Sequence, residues 1–345
     1  MVIPDPNRNQ IVHFGLFRCS RASPWSIVAS IMRRSHRSAP GRVTWKAFGR
    51  IPLALAALAL AAAPSSGQPA ERPPNIIVIL LDDAGWRDLG FTGNGFVETP
   101  HMDRLAGTGM RFTQGYATHT FCAPTRQSMV TGQYPARTSW ARADEVAGRE
   151  ATGVEHPALP AVSEKWTRQE LRFQSLAERL REKDYATAHV GKWHFRVPFG
   201  NELAPEDVGF DLNFAGDARI GELSDFTYPF ERLEHLDIEG EPGDHMTDLC
   251  TQRAIRFIRE NRERPFFVQL WYYAPHLPLE APEALVDKYR QKAEALGDDS
   301  LNPTYAAMID YLDQGVGRVV DALEDLGLRD DTVIFIASDN GALAR

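Results

Sequence analysis

The chain has 345 residues, 43% of them hydrophobic and 24% charged, enough apolar material for the core of one large α/β domain or two smaller ones. The formal net charge of −8 is unevenly placed: residues 1–67 carry nine Lys/Arg and one acidic residue, and the remainder carries 29 against 45, a net of −16. So acidic a body argues against a nucleic-acid partner and against an anionic membrane surface, and a polyanionic substrate could approach only a locally basic site.

Residues 1–67 read as a leader. Arg42, Lys46 and Arg50 precede an apolar run at 51–63, and the small residues of Pro64-Ser65-Ser66-Gly67 follow it. Basic region, apolar core and small-residue cleavage zone are the parts of a secretory signal. The run of 13 residues falls short of the ~20 that a spanning helix needs, so no stable membrane insertion is expected. The expected destination is secretion or a periplasm. Of three cysteines, Cys19 lies in this leader, and Cys250 sits on an apolar helical face and reads as core. No disulfide is expected.

Asn75–Leu81 is a β-branched run suited to a strand buried on both faces of a mostly parallel sheet. It stops at Asp82-Asp83, and paired carboxylates at a strand's carboxyl end are two hard oxygen donors suited to Ca²⁺ or Mg²⁺. Thr99-Pro100 reads as N-cap and first residue of a helix through Leu105-Ala106, with His101 on its surface. His119, three residues before Cys122, is a candidate for the same pocket as that cysteine.

Cys122-Ala123-Pro124-Thr125-Arg126 opens a helix near Ala123, whose free N–H groups and positive dipole end face an incoming anion. Arg126 lies one turn after Cys122. Residues 138–169 have no period and read as a long loop near the site. Residues 170–183 read as an amphipathic helix on Leu171, Phe173, Leu176 and Leu180. A short strand at 185–190 runs into Gly191-Lys192-Trp193-His194. Residues 195–243, rich in Pro, Gly and acidic side chains, show no period, and 245–262 reads as a helix.

Residues 265–271 form an apolar strand candidate leading to Pro275-His276-Leu277-Pro278. Residues 305–326 read as a helix with Met308, Ile309, Leu312, Val316, Val319, Val320 and Leu323 on one face, Gly327 as its stop, and Asp313 and the later acidic residues on a solvated face. A last strand, 332–337, ends in Ser338-Asp339-Asn340-Gly341. Asp339 and Asn340 again offer oxygen and no sulfur, which favours a hard cation.

Four of these runs resemble the sulfatase family: C-x-P-x-R-x-x-M-x-T-G at 122–132, G-K-W-H at 191–194, P-H-x-P at 275–278 and S-D-N-G at 338–341. The D-D-x-G-W-x-D-L-G run at 82–90 and T-P-x-x-D-x-L-A at 99–106 fit the same pattern. The resemblance covers about 74–341. It implies an alkaline-phosphatase-like α/β fold, a large mixed and mostly parallel sheet flanked by helices. It also implies hydrolysis of a sulfate ester, on an aryl compound or a carbohydrate.

Cys122 would be oxidised to formylglycine, which requires a formylglycine-generating enzyme or an equivalent maturase as partner. Its hydrated form attacks sulfur. Arg126 holds its charge, Lys192 binds its hydroxyl and the sulfate oxygens, His194 takes the remaining hydroxyl proton and expels sulfate, and His276 protonates the leaving alcohol. Ca²⁺, in preference to Mg²⁺, would be held by Asp82, Asp83, Asp339, Asn340 and the modified Cys122. The other readings are a phosphate or phosphonate monoester hydrolase on the same site, and a silent binder of sulfated glycans. In the family the chain continues past S-D-N-G through a Lys that grips sulfate and into a C-terminal subdomain. This sequence stops at Arg345, so a catalytic domain at 68–345 truncated at its C-terminal end is expected, with its last strand short of a packing partner.

Overall fold

The structure is a computed structural model that describes residues 14–16, 72–138, 173–195 and 202–342. The apolar run at 51–63 lies outside them, as does the loop expected at 138–169 apart from Thr138, which ends a short helix.

Strand β1 (Phe14–Leu16) is followed by β2 (Asn75–Leu81), β3 (Met110–Phe112), β4 (Ala186–Gly191), β5 (Leu212–Phe214), β6 (Phe266–Trp271) and β7 (Thr332–Ser338). Among the described residues they form one sheet in the order β3-β1-β7-β2-β6-β4-β5. From β7 to β5 every pairing is parallel, and β1 runs antiparallel to both β7 and β3. A strand thus lies inside the stretch read as leader. It also gives β7 a neighbour on each side: β2 pairs along the whole of β7, and β1 pairs at Phe335 and Ile336. Because β1 lies in the stretch read as a leader, β2 is the one of these two neighbours that does not depend on that stretch.

The helices are α1 (Pro100–Thr108), α2 (Cys122–Thr131), α3 (Pro135–Thr138), α4 (Leu176–Arg181), α5 (Met246–Glu260), α6 (Glu283–Leu296) and α7 (Pro303–Asp325). Strand β2 sorts them by its alternation. Ile77, Ile79 and Leu81 enter a core with Met102 and Leu105 of α1, Leu249 and Phe257 of α5, and the apolar stripe of α7. Leu80 faces the opposite core, with Val130 of α2, Ala177 of α4, Trp193, Phe195 and Trp271. Each fully buried Ile or Leu contributes about 1.5–3 kcal/mol, so covering both faces is what makes a continuous apolar strand stable here.

Three helix readings change. Helix α4 begins only at Leu176, because Ser175 caps it: its hydroxyl accepts from Glu178 N while the Glu178 carboxylate accepts from Ser175 N. Helix α6 had no counterpart in the sequence reading, although Pro282 before it and a left-handed Gly297 after it punctuate it.

The third change concerns α1. Thr99 occupies the N-cap position without capping: its hydroxyl donates to Asp103 and accepts from Gly90 N. The cap comes from α7 instead, where both Asp313 carboxylate oxygens accept, at 3.0 Å from His101 N and 2.8 Å from Met102 N. Asp313 is therefore fully buried and not on a solvated face, and burial raises its pKa to about 6 against those two bonds. Asp321, Glu324 and Asp325 are exposed, as expected. His101 packs against Gly317 of α7, where a Cβ would come within 2.4 Å of its ring.

Candidate active site

Register explains why segments far apart in sequence meet. Leu81 pairs with Ser338, Leu80 with Trp271, and Gly191 with Trp271, so β7, β2, β6 and β4 end level with one another. The residues that follow emerge along one edge of the sheet, where open parallel sheets place ligands. Backbone bonds tie that edge together: Lys192 N donates to Trp271 O, Asp82 N to Ala274 O and Asp339 N to Leu81 O. Gly191 is needed at the crossing. Its φ is +103°, and a Cβ would lie 2.0 Å from Trp271 O.

Helix α2 faces this edge. Phe121 is its extended N-cap and Pro124 sits in its first turn, where a missing N–H costs no helical bond. Gly132, at φ +67°, closes it by donating to Ser128 O. The helix is buried nearly all round, which its mixed sequence does not signal.

Arg126, with no exposed surface, donates from Nε (3.0 Å) and Nη2 (2.8 Å) to Asp339 Oδ2, and from Nη1 to Lys192 O at 2.7 Å. Its Nη2 also lies 3.2 Å from Asp82 Oδ1, and its guanidinium stands 5.4 Å from the Trp271 ring centre. Lys192 Nζ donates to Asp82 Oδ2 at 2.5 Å. Burial works against both cations, but the carboxylates outweigh it and raise both pKa values: Asp339 then Asp82 for Arg126, Asp82 first for Lys192. Asp339 itself is raised to about 6, by burial and then by Asp82 beside it, against the pull of Arg126 and Lys192.

Cys122 Sγ lies 3.2 Å from His194 Nδ1. Burial pushes the thiol up to about 11; Lys192 and Arg126 pull it down, and Asp82 and Asp339 push it up. A thiol held protonated at neutral pH is a poor nucleophile as it stands. His194 is in the left-handed region at φ +48°, donates its N–H to Asp217 O at 3.0 Å, and lies against Gly221, where a Cβ would come 2.5 Å from the ring. Asp217 and Gly221 belong to the stretch without period at 195–243, which carried no signal for this contact.

His276 Nδ1 is 2.9 Å from Leu277 O, which makes it the donating nitrogen, and Nε2 is 3.5 Å from Asp83 Oδ2. Asn340 Nδ2 donates to Asp83 Oδ1 at 2.5 Å. His119 shapes the turn before α2: its Nδ1 accepts from Phe121 N and its carbonyl from Thr125 Oγ1. Cys250 is fully buried beside Met246, and both it and Cys122 are free thiols.

Asp82, Asp83 and Asp339 each bring an oxygen within 4.8 Å of the others. Three buried oxygens in this cluster make no hydrogen bond: Asn340 Oδ1, Asp82 Oδ1, which has Arg126 Nη2 beside it at 3.2 Å, and Asp83 Oδ2, which has His276 Nε2 at 3.5 Å. Buried acceptors without donors are costly, and an oxygen-only set of carboxylates and an amide is what a hard cation requires, so these residues fit one.

The family model described as Sulfatase matches residues 74–344. The chain belongs to the sulfatase family. Among curated members, N-acetylgalactosamine-6-sulfatase of Mus musculus is 32% identical over 305 residues, covering 84% of this chain and 54% of that protein. Steryl-sulfatase of Mus musculus is 28% identical, with coverage of 84% and 54%. This family member therefore spans about half the length of those relatives. Among solved structures, Ps i-CgsB in complex with k-i-k-neocarrahexaose superposes with a TM-score of 0.59 at 28% identity, covering 79% of this chain and 59% of that one. The sulfatase fold accounts for the mixed sheet with helices on both faces.

Proposed function

We propose that this chain carries the hydrolytic centre of a sulfuric ester hydrolase, acting on a sulfated sugar or an aryl sulfate. The observation that supports it best is the contact of Cys122 Sγ with His194 Nδ1 at 3.2 Å beside the cluster of Asp82, Asp83 and Asp339. Asp82, Asp83, Asp339, Asn340 and the modified Cys122 would hold Ca²⁺, which polarises sulfuryl oxygens when bound. Formylglycine made from Cys122 by a maturase supplies, once hydrated, the attacking oxygen that the raised thiol does not.

The side chains then divide the work. Arg126 and Lys192, both held cationic, keep the attacking group and the sulfuryl oxygens in place and oppose their charge. His194 accepts the proton of the hydroxyl that remains. His276 would give a proton from Nε2 to the leaving oxygen: Leu277 O accepts the Nδ1–H and fixes the ring, which turns Nε2 toward the Asp83 side of the site. The names of the relatives favour a sulfated small molecule or glycan as partner, and the run at 51–63 favours export. No described helix is long and apolar enough to cross a membrane.

The test joins mass spectrometry to turnover. The Cys122 peptide of active protein should carry an aldehyde in place of the thiol, and Cys122→Ala should lose nearly all hydrolysis of aryl sulfate while folding normally. A variant with wild-type rates removes Cys122 as nucleophile, and a preference for aryl phosphate over aryl sulfate removes the sulfatase reading.

A further inference from the structure

We propose that Asp88 and Tyr305 form a clamp that holds Asp83 in the conformation a cation requires, which makes Tyr305 a positioning residue on a helix that offers no ligand. The inference rests on the metal reading above.

Asp83 is not a glycine, yet its φ is +64°. L-residues avoid this region because Cβ crowds the backbone carbonyl, and they stay there only where surrounding contacts hold them. Two of those contacts lie within the site: Asp83 N donates to Asp339 Oδ1 at 3.2 Å, and Asp83 Oδ1 accepts from Asn340. Both involve groups proposed to ligate the ion. They leave the backbone after Asp83 to be fixed by something else.

That something is the turn Gly85–Asp88. Asp88 Oδ2 accepts from Gly85 N at 2.7 Å, and its carboxylate occupies the space where a Gly85 Cβ would sit, 2.7 Å from Oδ2. The turn is thus folded back on itself, and a side chain at 85 would have to displace the Asp88 carboxylate. Tyr305 then fastens it. Its hydroxyl lies 2.5 Å from Asp88 Oδ2 and 3.4 Å from the carbonyl oxygen of Asp83. The hydroxyl has one proton, which goes chiefly to the nearer Asp88 carboxylate, with the Asp83 carbonyl as the minor acceptor of a three-centre bond.

Tyr305 is itself well anchored. Asn302 caps α7 by accepting from Tyr305 N at 3.0 Å, and α7 is buried in the core along most of its length. Burial and the neighbouring Asp88 both raise the phenol pKa, so Tyr305 stays a donor at any working pH. A rigid helix therefore sets the position of the turn, and the turn sets the angle at which Asp83 leaves β2. Tyr305 and Asp88 reach the cation only through Asp83, and outer groups of this kind govern how well a ligand is oriented.

The experiment is calorimetric titration with Ca²⁺ of the whole chain, wild type and Tyr305→Phe, at pH 8, with melting curves taken in EDTA. The clamp predicts a Kd raised about tenfold or more in Tyr305→Phe with a melting temperature in EDTA close to wild type. Asp88→Asn, which keeps an acceptor for Gly85 N, should bind more tightly than Asp88→Ala. A wild-type Kd in both Tyr305→Phe and Asp88→Ala overturns the clamp, as does a lowered melting temperature with the Kd unchanged, which is what a merely structural contact gives. Wild-type protein that binds no Ca²⁺ overturns the metal reading and the clamp with it.

Discussion

Replacing Arg126 by Met tests how the site balances its charges. Met keeps much of the volume against Trp271 and removes the guanidinium. In the native site three carboxylates, Asp82, Asp83 and Asp339, face two cations, Arg126 and Lys192, which leaves one net negative charge when all are ionised. All five side chains are buried, so water screens little of this. At an alkaline pH where all are ionised, Arg126→Met leaves two net negative charges; it also strips Asp339 Oδ2 of both its guanidinium donors and of the cation that holds its pKa down.

Removing one partner of a buried pair costs about 3–5 kcal/mol. At roughly 2 °C per kcal/mol for a chain of this size, melting in EDTA should fall by about 6–10 °C. A divalent cation reverses the balance: it takes the native site to one net positive charge and the variant to neutrality. Arg126 would therefore compete with an ion held by these carboxylates. A unit charge pair at 4 Å and an effective dielectric of 20 is worth ~4 kcal/mol, and a third of that is about tenfold in affinity. The variant should bind Ca²⁺ at least about tenfold more tightly than wild type and be stabilised more by it, although its turnover is lost. Differential scanning calorimetry in EDTA and in millimolar Ca²⁺ reads both effects. A variant that melts within about 2 °C of wild type in EDTA, or gains no more than wild type from Ca²⁺, refutes the reasoning.

The protonation of Asp339 gives a second measurement. Its folded pKa is raised from 3.8 to about 6, so the ion must displace a proton at lower pH, and Ca²⁺ affinity should decline by up to about tenfold per unit below about pH 6. Without the ion the sign is opposite. The folded state holds that proton more tightly than the unfolded chain, so its contribution to stability is lost as pH rises from about 4 to about 6; a Ca²⁺ affinity flat from pH 5 to 8 excludes this role. Asp313→Ala leaves the N–H groups of His101 and Met102 without their acceptor and should cost about 1–3 kcal/mol in chemical denaturation, equally with and without Ca²⁺. Gly191→Ala drives a Cβ into Trp271 O at a positive φ, and soluble protein with a native melting curve would show that the β4–β6 crossing tolerates what its geometry forbids.

Much of this protein is local in its sequence. Asn75–Leu81 could be read as a buried strand because its β-branched run answers to one physical demand, two apolar faces, and the structure gives it the same bounds. Helices α5 and α7 were legible for a similar reason, since a stripe of period 3.6 needs no knowledge of what covers it. Cys122, Arg126, Lys192, His194, His276, Asp82, Asp83, Asp339 and Asn340 could be marked from their motifs; the structure links Lys192, Asp82, Arg126, Asp339, Asp83, His276 and Asn340 by successive contacts and sets Cys122 against His194 as a separate pair.

What tertiary structure alone decided is pairing across long separations. Asp313 looked like one more acidic residue on a polar helix face, and became the cap of α1 because packing α7 against α1 left two N–H groups with no nearer acceptor. Thr99 was freed from that task and holds Asp103 and Gly90 instead. Strand β1 found its place between β3 and β7 though its three residues carry no period long enough to read. Gly221 against His194 and Tyr305 against Asp88 have no local pattern at all. A side chain's propensity is set within a few residues of it, whereas its hydrogen-bond partner is set by which surfaces the folded layers bring together, and that exists only once the sheet and its helices have packed.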